Sequence, residues 1–243
     1  MNDIIITGAS KGIGKALYNE LKNNKNNRLY LVARNFEISE FMNANIFKYD
    51  LSDVNYIDSL VEQIFNKIDL SNSERIVLIN NAGILSPIKF SGNDEPYEII
   101  NNLSVNLMAP VLLTSGFIKK LKNFKGEKKV INISSGAGKA PYAGWSLYTT
   151  AKAGIDMFTR SIALEQSMVE NGVKVVSFAP GIVETDMQKQ IRNTNKEDFP
   201  LVDKFLQIKE QNLAFSPEIP AKAISELIFN EFKSGELLDI RFH

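Results

Sequence analysis

Tyr148 and Lys152 stand four residues apart, and Ser135 stands thirteen residues before the tyrosine. A four-residue step places a phenol and an ammonium on one face of a helix, about one turn apart. A cation beside a phenol favours the phenolate, so the pair suits proton transfer. A serine hydroxyl brought up to the same point can hydrogen-bond a substrate oxygen and turn it toward the tyrosine. Each residue alone has a plainer reading: a surface lysine, a buried tyrosine, a strand-end serine.

Composition narrows the alternatives. The 243 residues contain no cysteine, which excludes disulfides, thiolate nucleophiles and cysteine-based metal sites. The single histidine is the last residue, His243, a poor location for a Ser-His-Asp triad. The acids form no loop pattern for an oxygen-ligated metal, so we expect none. Proton chemistry must therefore use Ser, Tyr, Lys, Asp or Glu. With 28 basic and 28 acidic residues, no polybasic footprint argues for nucleic acid or a membrane surface. Neither a charged leader nor a long apolar span is evident, and the sequence reads as a soluble cytoplasmic protein.

The elements that must hold these residues alternate along the chain. Strand-like runs fall at 3–8, 28–34, 44–50, 75–83, 128–135, 173–181 and 235–242, and helical patterns at 13–23, 53–68, 94–121, 147–170 and 217–232. Apolar strands separated by helices indicate a parallel sheet covered on both faces. The expected architecture is a single-domain, doubly wound α/β Rossmann fold spanning 1–243, with a seven-stranded parallel sheet. Residues 186–212 fit the sheet pattern poorly and read as a small lid segment over a site, or as a plain surface helix pair.

"TGASKGIG" (7–14) follows the first strand and opens the first helix. Its Gly8, Ser10, Lys11, Gly12, Ile13 and Gly14 predict a phosphate cradle: glycines admit positive φ and close approach, and the helix N-terminus offers unpaired N–H groups. The fingerprint for NAD places an acid at the end of the second strand, to hold the ribose hydroxyls. Here Arg34 occupies that place, with Lys11 as a second cation. Two cations suit a 2′-phosphate, and NADP(H) is the expected cofactor. Pro110, which has no N–H, follows Asn106 by four and leaves the Asn106 carbonyl free within a helix.

"TGASKGIG", "NNAG" (80–83), Asn106, Ser135, "YTTAK" (148–152) and "PGIVET" (180–185) stand in the order of the short-chain dehydrogenase/reductase family, which the chain resembles over nearly its whole length. "GWSLYTTAKAG" (144–154), "INISSGAGKAPYAGW" (131–145) and "SGELLDIRF" (234–242) resemble the benzil reductase and sepiapterin reductase branch. The resemblance implies reduction of a carbonyl to a secondary alcohol, with Tyr148 as proton donor, Ser135 orienting the carbonyl and Lys152 also holding the nicotinamide ribose. It implies that the Asn106 main chain holds a water of the proton relay. It places Asp50 and Leu51 at the adenine, Asn81, Ala82 and Gly83 along the adenosine ribose, and Val183 and Thr185, after Pro180 and Gly181, at the carboxamide. Trp145, Met187 and Phe199 read as pocket residues or as ordinary core. Asp239 is expected either to anchor the amino group of a pterin-like substrate or to pair with Arg241, two residues on along one strand face. The family likeness also implies a homodimer or homotetramer. An NAD-linked alcohol dehydrogenase and a non-catalytic dinucleotide sensor are the competing readings.

Overall fold

The computed structural model describes residues 1–42 and 44–242, so the chain's one histidine, His243, lies outside the described residues. Seven strands form one sheet: β1 (Asn2–Thr7), β2 (Asn27–Ala33), β3 (Asn45–Lys48), β4 (Arg75–Asn80), β5 (Glu127–Ile133), β6 (Lys174–Ala179) and β7 (Leu237–Asp239). All neighbours run parallel, in the order β3-β2-β1-β4-β5-β6-β7. The sequence-expected doubly wound fold is therefore present. Strand order reverses between β1 and β4, and crevices for ligands open at the carboxyl ends of the strands at such a point.

Strand periodicity sorts the core into two layers. Ile4 and Ile6 point to the side of α1 (Gly12–Leu21) and α8 (Glu218–Phe229), where Leu17, Ile224 and Ile228 are buried. Ile5, Tyr30 and Leu78 point the other way, against Leu60 and Ile64 of α2 (Ile57–Phe65) and Leu113 and Phe117 of α4 (Ala109–Lys120). Because both faces are covered, the central strands read as unbroken apolar runs.

Two elements depart from their expected form. The helix expected over 94–121 is three pieces: α3 (Pro96–Leu103), a π-helical turn (Ser104–Met108) and α4. The Ala109 N–H reaches back five residues to Ser104 O, next to Pro110, which has no N–H to offer. A capping box between Glu95 and Glu98 starts α3, with Pro96 at its first position. The last strand is shorter than expected. It ends at Asp239, and residues 240–242 form a single 3-10 turn, so Arg241 is not on a strand face with Asp239.

The 186–212 segment contains α6 (Asp186–Arg192) and α7 (Val202–Glu210). Its Ile191, Phe199, Val202 and Phe205 form a third apolar cluster with Leu85, Trp145 and Tyr148. That cluster sits at the carboxyl end of the sheet and roofs the site described next.

Candidate active site

A cleft of about 1370 Å³ runs along the carboxyl ends of the strands, from Arg34 and Asp50 at one end to Trp145, Met187 and Asp239 at the other. The glycine loop forms its floor. Gly8 has φ +66°, and a Cβ there would stand 2.8 Å from the Ala82 backbone, so the turn off β1 requires glycine. Gly14 does not line the cleft. It lets α1 close onto the loop, since a Cβ there would meet Gly8 O at 2.3 Å.

Helix α1 opens directly onto this loop. Its N-cap residue, Lys11, makes no side-chain cap, and the first turn carries no acid. Its unpaired N–H groups and the positive end of its dipole are left for an anion. The adjoining "NNAG" loop is fixed by Thr7, a residue that motif reading passed over. The Thr7 Oγ1 accepts the N–H groups of Asn81 and Ala82, both at 3.0 Å, and Asn81 Nδ2 donates to Thr7 O at 2.8 Å. The residues present thus fit the pyrophosphate and adenosine of a dinucleotide.

The two cations expected at a 2′-phosphate both face carboxylates. Arg34 Nη1 lies 4.0 Å from Asp50 Oδ2, and Lys11 Nζ lies 3.2 Å from Asp186 Oδ2 at the start of α6. All four side chains are largely exposed, so these pairs exchange readily with a competing anion. The Lys11 pairing also ties the glycine loop to α6, a contact across 175 residues of chain that no local pattern announces.

Helix α5 (Ser146–Ser167) carries the chemistry-bearing pair. Lys152 is buried, and its Nζ donates to Ile133 O of β5 at 2.8 Å. The same Nζ lies 5.6 Å from the centre of the Tyr148 ring, within cation–π range. Burial lowers the Lys152 pKa to about 8, and the Asp156 carboxylate one turn on partly opposes it. Asp156 is itself buried and accepts from Ser177 Oγ at 2.6 Å.

Burial pushes the Tyr148 phenol above its ordinary pKa, and the Ser135 hydroxyl pulls it back. This corrects the expectation that Lys152 would bring the phenol down: desolvation wins, and Ser135 supplies the opposing pull. At neutral pH Tyr148 therefore holds its proton while Lys152 stays charged. Ser135 accepts from the Ala137 N–H at 3.1 Å, which keeps its Oγ at the head of the turn after β5.

Asn106 backs the cleft instead of lining it. Its Oδ1 accepts from Ile84 N at 3.0 Å, and its Nδ2 donates to Ile84 O at 2.7 Å and to Asn102 Oδ1 at 3.0 Å. The side chain is thus spent on clamping the loop after β4, which leaves only its main chain, in the π-helical turn, for any part in a relay.

Leu51, Gly83, Pro180, Gly181, Val183 and Thr185 all line the cleft, as do Trp145 and Met187 at its far end. Phe199 does not. It is fully buried and stacks on Trp145, ring centres 4.6 Å apart and 9° from parallel, so it supports the pocket wall from behind. Asp239 is buried, and both its oxygens take hydrogen bonds from Arg241: Nε to Oδ1 at 2.8 Å and Nη2 to Oδ2 at 2.6 Å. These hydrogen bonds hold the Asp239 carboxyl below its usual range despite burial. The ion pair weighed against substrate anchoring is present, and it forms by the turn at 240–242 folding Arg241 back. Arg241 also lines the cleft, and its recognition from sequence went no further than a partner for Asp239.

No group of acids able to hold a metal occurs among the described residues, and none of their helices is long and apolar enough to cross a membrane.

Comparison with known proteins follows the same lines. The model of the short chain dehydrogenase family matches residues 2–196. The chain is 43% identical over 247 residues to a benzil reductase ((S)-benzoin forming) of Bacillus cereus, covering 99% of both chains. It is 31% identical to the sepiapterin reductase of Bos taurus, covering 97% of this chain and 92% of the relative. Among solved structures, a short chain dehydrogenase/reductase of Saccharomyces cerevisiae superposes with a TM-score of 0.86 at 25% identity, covering 99% of this chain and 96% of the other. The glycine loop opening α1, the Tyr148–Lys152 pair on α5 and these matches lead to one conclusion: the chain belongs to the short chain dehydrogenase family of oxidoreductases.

Proposed function

We propose that the protein is an NADPH-dependent carbonyl reductase that converts a ketone or diketone into a secondary alcohol. The observation that carries this reading is the buried Lys152 beside Tyr148, in the same cleft as the uncapped start of α1. When bound, the nicotinamide supplies a hydride to the carbonyl carbon. Gly8, Ser10, Gly12, Ile13 and the α1 N-terminus hold the pyrophosphate; Asp50, Leu51, Asn81, Ala82 and Gly83 hold the adenosine side; Pro180, Gly181, Val183 and Thr185 hold the carboxamide side. Arg34 and Lys11 take the 2′-phosphate by exchanging it for their present carboxylate partners.

Ser135 orients the substrate oxygen. Tyr148 gives that oxygen its proton as charge develops there, which burial favours because it disfavours a free phenolate beforehand. Lys152 steadies the phenolate that results, and the proton is restored from the side of Lys152 and the Asn106 main chain. Trp145 and Met187 supply an apolar wall, which suits an aromatic carbonyl compound. Segment 186–212 acts as the lid, latched by the Gln190 amide donating to the Ser86 hydroxyl.

Tyr148→Phe tests the chemistry: single-turnover hydride transfer is expected to fall by about 100-fold or more, with NADPH affinity nearly intact. Survival of most of the rate removes Tyr148 as the acid. Arg34→Asp tests the cofactor choice, since it removes a charged hydrogen bond of about 1.5–3 kcal/mol and supplies a carboxylate for ribose hydroxyls. Preference is expected to move toward NADH by roughly 10- to 100-fold; an unchanged ratio would revive the NAD-linked reading.

We further propose a homodimer or homotetramer. Met157 and Leu164, seven residues apart on α5, are exposed on one face, with Tyr97 and Ile100 exposed on the neighbouring α3. Such a stripe suits a second copy of the chain. Sedimentation of Met157→Glu/Leu164→Glu should show smaller particles than wild type.

A further inference from the structure

The far end of the cleft presents a cation, and its origin lies in the Asp239–Arg241 pair. Asp239 is buried on β7, and both its oxygens already accept from Arg241, so the charge it would offer a substrate is largely taken up by the guanidinium. The main-chain N–H of Arg241 also donates to Asp239 Oδ1, at 3.1 Å, so the turn and the guanidinium are fixed by one carboxylate. A guanidinium held by its Nε and Nη2 keeps its Nη1 edge and the outer hydrogen of Nη2 for another acceptor. The Arg241 side chain is 56% exposed, and it lines the same cleft as Tyr148 and Trp145.

Its place along the cleft is set by Gly136, the residue after Ser135. A Cβ at Gly136 would stand 3.7 Å from Arg241 Nη2, so the guanidinium lies alongside the turn that carries the carbonyl-orienting serine. Lys139, at the end of the same turn, also lines the cleft and adds positive charge near Asp239.

We infer that Arg241 is a specificity-determining residue, positioned by Asp239, that takes a second acceptor oxygen of the substrate: the other carbonyl of a diketone or the carboxylate of a keto acid. This rests on the carbonyl-reductase reading and deepens it. It inverts the expectation from Asp239 alone, which favoured substrates carrying a hydrogen-bond donor. A planar fork held rigid beside the reacting carbonyl selects for paired acceptors and against an amino-bearing ring.

The test compares 1-phenyl-1,2-propanedione with 1-phenyl-1-propanone, which lacks the second oxygen, and phenylglyoxylate as the keto acid. The variants are Arg241→Lys, which keeps a charge for Asp239 but loses the fork, and the double variant Asp239→Asn/Arg241→Gln, which leaves no buried carboxylate unpaired. Two readouts serve: kcat/KM with NADPH, and affinity from quenching of Trp145, the chain's single tryptophan. Wild type is expected to prefer the diketone over the monoketone, and the double variant to lose roughly tenfold or more of that preference, with phenylglyoxylate losing most. Arg241→Lys should retain part of the keto-acid preference and little of the diketone preference. An unchanged diketone-to-monoketone ratio in both variants, or wild type showing no preference by affinity, overturns the inference. Quenching that follows the expected order in a protein that turns over none of the three would overturn the carbonyl-reductase reading and leave the Arg241 assignment standing.

Discussion

Two of the three buried lysines among the described residues, Lys129 and Lys152, lie on opposite sides of the sheet's centre, and their surroundings differ. Lys129, on β5, is fully buried and saturated: its Nζ donates to Leu227 O at 3.3 Å, Ile228 O at 3.0 Å and Asn230 O at 2.8 Å, and pairs with Glu127 at 2.9 Å. It caps the carbonyl end of α8, where a cation also complements the helix dipole. Lys152, on α5, is nearly as buried, yet its only hydrogen bond among the described residues is to Ile133 O, and it faces a cleft. Burial lowers the pKa of both. The difference is in what repays the desolvation. At Lys129 the fold repays it with three carbonyls and a carboxylate; at Lys152 the fold leaves donors unspent, as the proposed proton relay and ribose contact would require.

The largest expected effect breaks the member of the pair proposed to serve catalysis. Lys152→Met should cost about 10²- to 10⁴-fold in single-turnover reduction, while its melting temperature holds or rises because an underpaid buried charge is gone. A variant that is both active and less stable would make Lys152 a structural lysine like its counterpart.

Lys129→Met should do the reverse. Losing the cap of α8 and a partner of Glu127 is expected to cost on the order of 3 kcal/mol of stability, read from denaturant unfolding. Turnover per folded molecule should stay within about twofold, since a site on rigid elements senses only its own shell. Loss of turnover without loss of stability would erase the contrast.

The third effect is a pH dependence that sharpens it. Unfolded, a lysine titrates near 10.5; Lys152 in the fold titrates near 8. Below about 8 the ammonium is present, and the proposed reduction is expected to run at full rate. As pH rises through that value the charge is lost and kcat/KM for reduction should fall, approaching tenfold per pH unit. Stability moves oppositely: between 8 and 10.5 the unfolded chain holds the extra proton, so raising pH through that window favours the fold of wild type relative to Lys152→Met. A flat profile from pH 7 to 9.5 would show that the lysine's charge is not needed.

The smallest effect concerns Asp156, whose charge raises the Lys152 pKa. Asp156→Asn keeps an acceptor for Ser177 Oγ but removes that charge, so the alkaline limb of the profile should shift to lower pH with its plateau little changed. A shift upward, or a loss of plateau rate with no shift, would make Asp156 a packing residue only.

Much of this was readable beforehand, for local reasons. The strand runs and the glycine loop follow from nearest-neighbour patterning, and β1, β2, β4, β5 and β6 lie within a few residues of their expected spans. The helix over 94–121 was legible as a helix but not as three pieces, because Pro110 announces a missing bond and not the five-residue reach that replaces it. Asp239 and Arg241 were legible as neighbours; that a 3-10 turn, not a strand, would carry the arginine back onto both oxygens was not. Phe199 had the composition of a pocket residue, and only its stacking behind Trp145 removes it from the cleft.

What the sequence determined by itself is whatever a short run or a local spacing can carry: seven apolar strand runs separated by helices, a phosphate-compatible turn, and a phenol and an ammonium one helical turn apart. Tertiary structure alone decided which charges were already taken. Lys11 meets Asp186 across 175 residues and Lys129 meets the end of α8 across 98 to 101, distances at which no periodic pattern links one residue to another. It also decided the proton affinities, because burial dominates both Tyr148 and Lys152, and burial is the sum of every layer packed around a group, drawn from β5, α5 and the 186–212 segment together.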